Sequence, residues 1–315
     1  MGGNERVRQY AARAGGVRRH SVLLTNRFSS GLFGAMSRLF SMLAAVLVIA
    51  APVSAQQLPT PKPPDTVFLE ELTWDELALL IKNGKTTAII GTAGTEQKGP
   101  HMPIGEHKYA TEYCAEQIAR ALGNAIVAPV ITYVPEGSWE RATGHMSKAG
   151  TITLPEERFR TLLELTARSL RGSGFKDIVL IGDSGGNQQG MNAVATKLNA
   201  EWKGTGVRLH FIGDYYTKAH AVQQNWLADT AKIIPRDSIG GHANIMDTSE
   251  LMYIHPQLVR TDRYSIANSA NGVSGSPVKS SREIGKKLLG IKINLALAQI
   301  RSSIAAAAPG AENDR

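Results

Sequence analysis

The chain has 315 residues, 43% of them hydrophobic, a single cysteine and a formal net charge of +8. One cysteine excludes an internal disulfide framework. The basic excess does not argue for a nucleic-acid partner. Residues 1–55 hold seven Lys+Arg and one acidic residue, so without them the balance falls from 35 against 27 to 28 against 26, too even for a basic binding face.

In chain order, basic residues up to Arg38 lead into the apolar run LFSMLAAVLVIAAPVSA, which ends in small residues at Ala55. This is the pattern of a cleaved export signal; Met36 is an alternative start. The run is shorter than the ~20 residues of a spanning helix, so membrane contact is expected only if the segment stays uncleaved. The expected location is periplasmic or secreted. Residues 56–66, beginning QQLPTPKPPD, form a Pro-rich extended spacer. Residues 67–305 are read as a single domain and 306–315 as a disordered tail.

Within that domain TTAIIGTAG, AIVAPVITYV, DIVLIGD and VRLHFIGD read as buried strands. Helical patterns fall between and after them, at about 74–83, 107–122, 155–172, 187–203 and 217–231. Thr73 with Glu76 predicts a capping box, Pro155 suits the first turn of the third helix, and Cys114 belongs on the apolar face of the second. SSREIGKKLLGIKINLALAQIRSSIAAAA predicts a final helix. The alternation predicts an α/β fold: a three-layer α/β/α sandwich around a mainly parallel sheet. In such sheets ligands bind beyond the carboxyl ends of the strands, and four loops fall there: GTEQKGPHMPIGEH, PEGSWERATGHMSKAGT, GDSGGN and GGHANIMDTSE.

GDSGGN, residues 182–187, shares letters with serine hydrolases. A trypsin-like reading fails because that fold is built from β-barrels. A GDSL-type esterase, with Ser184 as nucleophile, carries the motif on its first strand, whereas here two strands precede it. The bland alternative is a turn capped by Asp183 or Ser184.

TEQKGPHMPIGEH resembles the first motif of the creatininase (creatinine amidohydrolase) family, Glu-x-His-Gly-x-His-Leu-Pro followed by Gly-Thr-Asp. GHMSKAGTITL, GDSGGN, HANIMDTSELMYIHPQLVR and GVSGSPVKSSREIGKKLL resemble later family segments in the same order, across roughly residues 68–290. The resemblance implies a metal-dependent amidohydrolase that opens a C–N bond of a small cyclic or linear amide, on a layered α/β/α fold, as a homo-oligomer, often a hexamer.

Carried over residue by residue, Glu96 keeps a ligand position, Lys98 stands where the family has His, and His107 where it has Asp. Asp183 takes the place of a family His if Ser184 counts as an insertion; without the gap, Ser184 takes it. The implied metal set is Glu96, His107 and Asp183, one imidazole and two carboxylates, which suits one divalent ion: Zn²⁺ first, Mn²⁺ or Fe²⁺ otherwise. Lys98 would substitute its charge for a second ion and polarise the carbonyl. His242 would shuttle a proton to the leaving nitrogen, and the catalytic set is Glu96, Lys98 and His242.

His101, His145, Ser184 and Asp247 are expected to brace the site or touch substrate. Glu106 is read as a solvated carboxylate at a helix start, and Tyr133 and Trp139 as pocket-lining or core aromatics. Two other functions stay open: a non-catalytic exported binding protein on the same fold, and a serine esterase using Ser184.

Overall fold

The structure, a computed structural model, describes residues 62–307. The export signal, the start of the spacer and the end of the tail lie outside the described residues. No helix among the described residues is long and apolar enough to cross a membrane.

Four strands, β1 (Thr87–Thr92), β2 (Ala125–Val127), β3 (Asp177–Gly182) and β4 (Arg208–Phe211), form one sheet in the order β2-β1-β3-β4. Every pairing is parallel; Thr87 stands opposite both Ala125 and Asp177, and Asp177 opposite Arg208. Successive strand residues point to opposite faces, and the sequence uses that period to build two cores. Ala88, Ile90, Ile178 and Leu180 pack against Phe159 and Leu163 of α3 (Glu156–Gly172) and Met191 and Leu198 of α4 (Gln188–Glu201). Ile89, Val179 and Ile181 face Cys114 and Ile118 of α2 (Glu106–Leu122) and Leu289 and Ala296 of α8 (Arg282–Ala307). The three layers expected from the sequence are therefore present.

α1 (Trp74–Lys82) opens on the predicted capping box of Thr73 and Glu76. Pro155 sits one position earlier than expected, at the N-cap of α3. β2 is shorter than its apolar run because Pro129 has no N–H for the ladder; pairing resumes where Ile131 N–H donates to Gly91 O at 2.9 Å. α5 (Thr217–Asn225) runs into a π-helical turn over Trp226–Thr230.

A short α6 (Arg236–Ile239) precedes the segment GGHANIMDTSE, read from sequence as loop, and a ten-residue α7 (Ile245–Ile254) begins inside that segment. α7 is started by Asn244, whose side chain accepts from Met246 N at 2.8 Å and Asp247 N at 3.2 Å. Just before it, Ala243 is held at φ +52°, a conformation costly for a residue with a Cβ. Its N–H donates to Asp247 Oδ2 at 2.9 Å, which fixes the turn that presents His242.

Candidate functional site

The carboxyl edge of the sheet opens into a cavity of about 500 Å³. β1 leads into the loop bearing Glu96 and Lys98, and β3 ends on Asp183 and Ser184. Gly182 is required at that end, because a Cβ there would collide with Met191 Cε and lie 2.5 Å from Thr92 Oγ1. α2 brings Glu106 and His107 in its first turn, α7 brings Asp247 and Glu250, and α8 brings Lys292.

These side chains form a buried row of alternating charge. Glu250 Oε2 lies 2.9 Å from Lys292 Nζ, which lies 2.9 Å from Asp183 Oδ1. Asp183 Oδ2 faces His107 Nδ1 at 3.8 Å, and His107 Nε2 meets Glu96 Oε1 at 2.9 Å. Glu96 Oε1 is 3.3 Å from Lys98 Nζ, which donates to Asp247 Oδ2 at 3.0 Å and lies 3.4 Å from Glu106 Oε2. Burial alone would discharge each member. The neighbours reverse this for the cations: despite burial, Asp247, Glu106 and Glu96 hold Lys98 well above its ordinary pKa. Asp183 and Glu250 do the same for Lys292. His107 is likewise held well above the usual imidazole range by Glu106, Asp183 and Glu96, against burial and Lys98. Burial notwithstanding, Lys98 and then His107 keep the Glu96 carboxyl well below the usual carboxylate range.

The three ligands expected from the sequence, Glu96, His107 and Asp183, thus meet in one place, but as ion-paired neighbours. The three donor groups that converge, with ligand atoms within 4.8 Å of one another, are Glu96, His145 and His242. Glu96 Oε2 is 3.3 Å from His145 Nε2, and Glu96 Oε1 is 3.5 Å from His242 Nδ1. The two rings lie 4.4 Å apart, tilted by 35°.

His242 Nε2 lies 2.8 Å from the Gln97 carbonyl oxygen, which can only accept, so the ring proton belongs on Nε2 and the lone pair on Nδ1. The Gln97 amide nitrogen, 3.1 Å from the same atom, donates to Gly272 O at 3.2 Å. Burial pushes His242 down to about 4 and lowers His145 as well, leaving both rings neutral at neutral pH. Two neutral imidazoles and one ionised carboxylate, with a backbone carbonyl orienting one ring, fit a divalent ion such as Zn²⁺ or Mn²⁺.

Glu136 completes this end. Burial and then the adjacent Glu96 raise it to about 9, and its Oε1 is buried without a hydrogen-bond partner among the described residues. Gly94 makes the approach possible, since a Cβ there would collide with Glu136 Oε1 and lie 3.6 Å from Glu96 Oε2.

The other residues singled out in the sequence fall as follows. His101 is fully buried beside the Lys98–Asp247 end of the row, bonded through Nε2 to Thr248 Oγ1 at 3.0 Å. Asp247 is held to Lys98. Ser184 lines the cavity, but no histidine among the described residues is hydrogen-bonded to its hydroxyl. Two expectations are corrected: Glu106 is 1% exposed rather than solvated, because it shares Lys98, and Tyr133 and Trp139 are exposed, at 52% and 58%, rather than packed in the core. Sequence reasoning missed Glu136, Glu250 and Lys292. A signal did exist for Lys292, the one charged residue in LLGIKINLALAQI.

The family profile described as creatininase, creatinine amidohydrolase, matches residues 70–299. The chain belongs to the creatininase family. It is similar to the mycofactocin precursor peptide peptidase of Mycobacterium ulcerans (strain Agy99), with 29% identity over 192 residues, 58% of this chain and 64% of that protein. The peptidase of the same description from Mycobacterium tuberculosis (strain ATCC 25618 / H37Rv) is 27% identical over 193 residues, with the same coverage. The chain therefore spans just under two thirds of the length of these relatives. Among solved structures it resembles a crystal structure of creatinine amidohydrolase (TM-score 0.60, 19% identity, 76% of this chain and 98% of that one). It also resembles a manganese form of creatininase (TM-score 0.59, 21% identity, 76% and 98%).

Proposed function

We propose that the chain is a hydrolase of amide C–N bonds that works with one divalent ion held by Glu96, His145 and His242. The observation that carries this reading is the convergence of two neutral imidazoles on an ionised, buried carboxylate at the wall of a cavity. When bound, such an ion supplies Lewis acidity toward an amide carbonyl and eases loss of a proton from water.

The chain's own groups supply the rest. Lys98, with its ammonium committed to three carboxylates, holds Glu96 ionised; it is a fixed counter-charge more than a group free to polarise substrate. His242, with Nε2 on the Gln97 carbonyl, serves as a ligand in place of the proton shuttle expected from the sequence. The general acid is Glu136: it carries its proton at neutral pH, lines the cavity beside Glu96 and would deliver that proton to the departing nitrogen as the C–N bond breaks, the proton given up by the attacking water then restoring the Glu136 carboxyl.

The relatives are named as peptidases of a precursor peptide, and a cavity of about 500 Å³ is roomy for a very small amide. We infer a peptide amide as substrate, with small cyclic amides second. We also infer that the protein is exported, from the leader in residues 1–55, and that it self-associates, from the family resemblance. N-terminal sequencing of the mature protein and size-exclusion chromatography test these two points.

The experiment that tests the activity is hydrolysis of a panel of short peptides and cyclic amides by protein reconstituted with Zn²⁺ or Mn²⁺. Turnover that disappears on metal removal and returns on reconstitution supports the reading. Undiminished turnover by protein shown metal-free by elemental analysis overturns it. A folded protein that binds the metal yet hydrolyses nothing in the panel would favour the non-catalytic binding role.

A further inference from the structure

Lys292 lies between Asp183 and Glu250 toward one end of the charged row and has no part in the chemistry above. It sits on α8 within a thirteen-residue stretch otherwise free of charge, and it is 5% exposed. Its ammonium lies 2.9 Å from one oxygen of Asp183 and 2.9 Å from one of Glu250. The remaining oxygens are placed by other groups: Gln223 Nε2 donates to Glu250 Oε1 at 2.7 Å, and Asp183 Oδ2 faces His107 at 3.8 Å. Lys292, Asp183, Glu250 and Gln223 all line the cavity. Two carboxylates fixed on either side of one position, within reach of solvent, form a cation site by charge and by donor chemistry. Here the cation is covalently attached to the chain. Burying an ammonium costs several kcal/mol unless it is paired, so its retention on an apolar helix face is explained by these two partners.

We propose that Lys292 is the resident cation of the Asp183–Glu250 carboxylate pair and that, with Lys98 at the other end of the row, it confines the centre to a single divalent ion. This rests on the single-ion reading above. Lys292 is a positioning residue: it holds Asp183 toward His107, which in turn bonds Glu96. An ammonium and a divalent ion compete for the same oxygens, so removing the first should admit the second.

The test is Zn²⁺ stoichiometry, by calorimetric titration and by elemental analysis after dialysis, on the full chain and three variants. The expected result is one equivalent for the wild type and for Lys292→Arg, which keeps the charge, and one more than wild type for Lys292→Met. Lys292→Met/Glu250→Gln, which removes charge from both sides, should return to the wild-type value. The readout is the difference between variant and wild type, so it separates the two claims. If wild type binds no Zn²⁺ and Lys292→Met binds one, the Glu96 site fails while Lys292 as the resident cation of the Asp183–Glu250 pair is supported. If Lys292→Met is unfolded without metal and folds in excess Zn²⁺, the ion has replaced the ammonium and the proposal is supported. A wild type that already takes two equivalents overturns the proposal. So does a folded Lys292→Met with unchanged stoichiometry, or one that stays unfolded in Zn²⁺ while the double variant folds.

Discussion

His107 Nε2 lies 2.9 Å from Glu96 Oε1, while the opposite ring nitrogen faces Asp183 at 3.8 Å. The His107 ring, whose pKa the surrounding carboxylates Glu106, Asp183 and Glu96 raise against burial, therefore separates two buried carboxylates that would otherwise repel. Replacing it with a neutral residue leaves both without their shared cation. His107→Asn is expected to lower stability by about 3–5 kcal/mol, the usual cost of breaking a buried pair from one side, read from urea unfolding. A loss below about 1 kcal/mol would mean that the imidazole is neutral and the row is not continuous.

His145→Ala and His242→Ala should each weaken Zn²⁺ binding by about 100-fold or more, because each removes a ligand. Changes that only disturb ligand orientation cost about 10–100-fold, and Gln97→Ala, which loses the amide contacts with both rings, should fall in that lower range. Competition titration against a chromogenic chelator measures all three. If His107→Ala, rather than either ring variant, abolishes binding, the ligand set expected from the sequence is restored.

Stability should respond to pH in opposite directions at two residues. His242 has its pKa lowered to about 4 from 6.5 by burial, so the unfolded chain binds its proton first and stability falls as pH drops from 6.5 toward 4. Glu136 has its pKa raised to about 9 from 4.5 by burial and by Glu96, so its contribution is complete below 4.5 and is lost as pH rises toward 9. Glu136→Gln should therefore stabilise the metal-free protein at pH 8 while abolishing turnover. Urea midpoints of wild type and variant at pH 5 and pH 8 decide this, and an unchanged difference between the two pH values would refute it.

Ser184→Ala should keep hydrolysis within a few-fold of wild type, since no histidine among the described residues is bonded to its hydroxyl. Near-complete loss together with insensitivity to chelators would revive the esterase reading.

The strands and the cavity edge were legible because each rests on local pattern. DIVLI and TAIIG are apolar runs ended by glycine, and β2 was over-read only where Pro129 interrupts the ladder. Glu96, His107 and Asp183 could be gathered into one place through the family resemblance of the loops that carry them. Their roles could not, because whether a histidine is a ligand or a cation depends on partners distant in sequence: Asp183 is 76 residues from His107, and Lys292 lies 109 residues beyond Asp183. Glu106 looked solvated because a helix start is ordinarily exposed, and only the fold delivers Lys98 to it. α7 was missed because its cap is an Asn side chain within a run whose histidine and aspartate suggested a loop.

α8 is the last element among the described residues, and Lys292 reaches the cavity only when that helix docks. Without it Asp183 and Glu250 lose the ammonium that lies 2.9 Å from each of them. α8 therefore acts as a latch on the pocket, and a chain from which that helix is removed should not hold a native one.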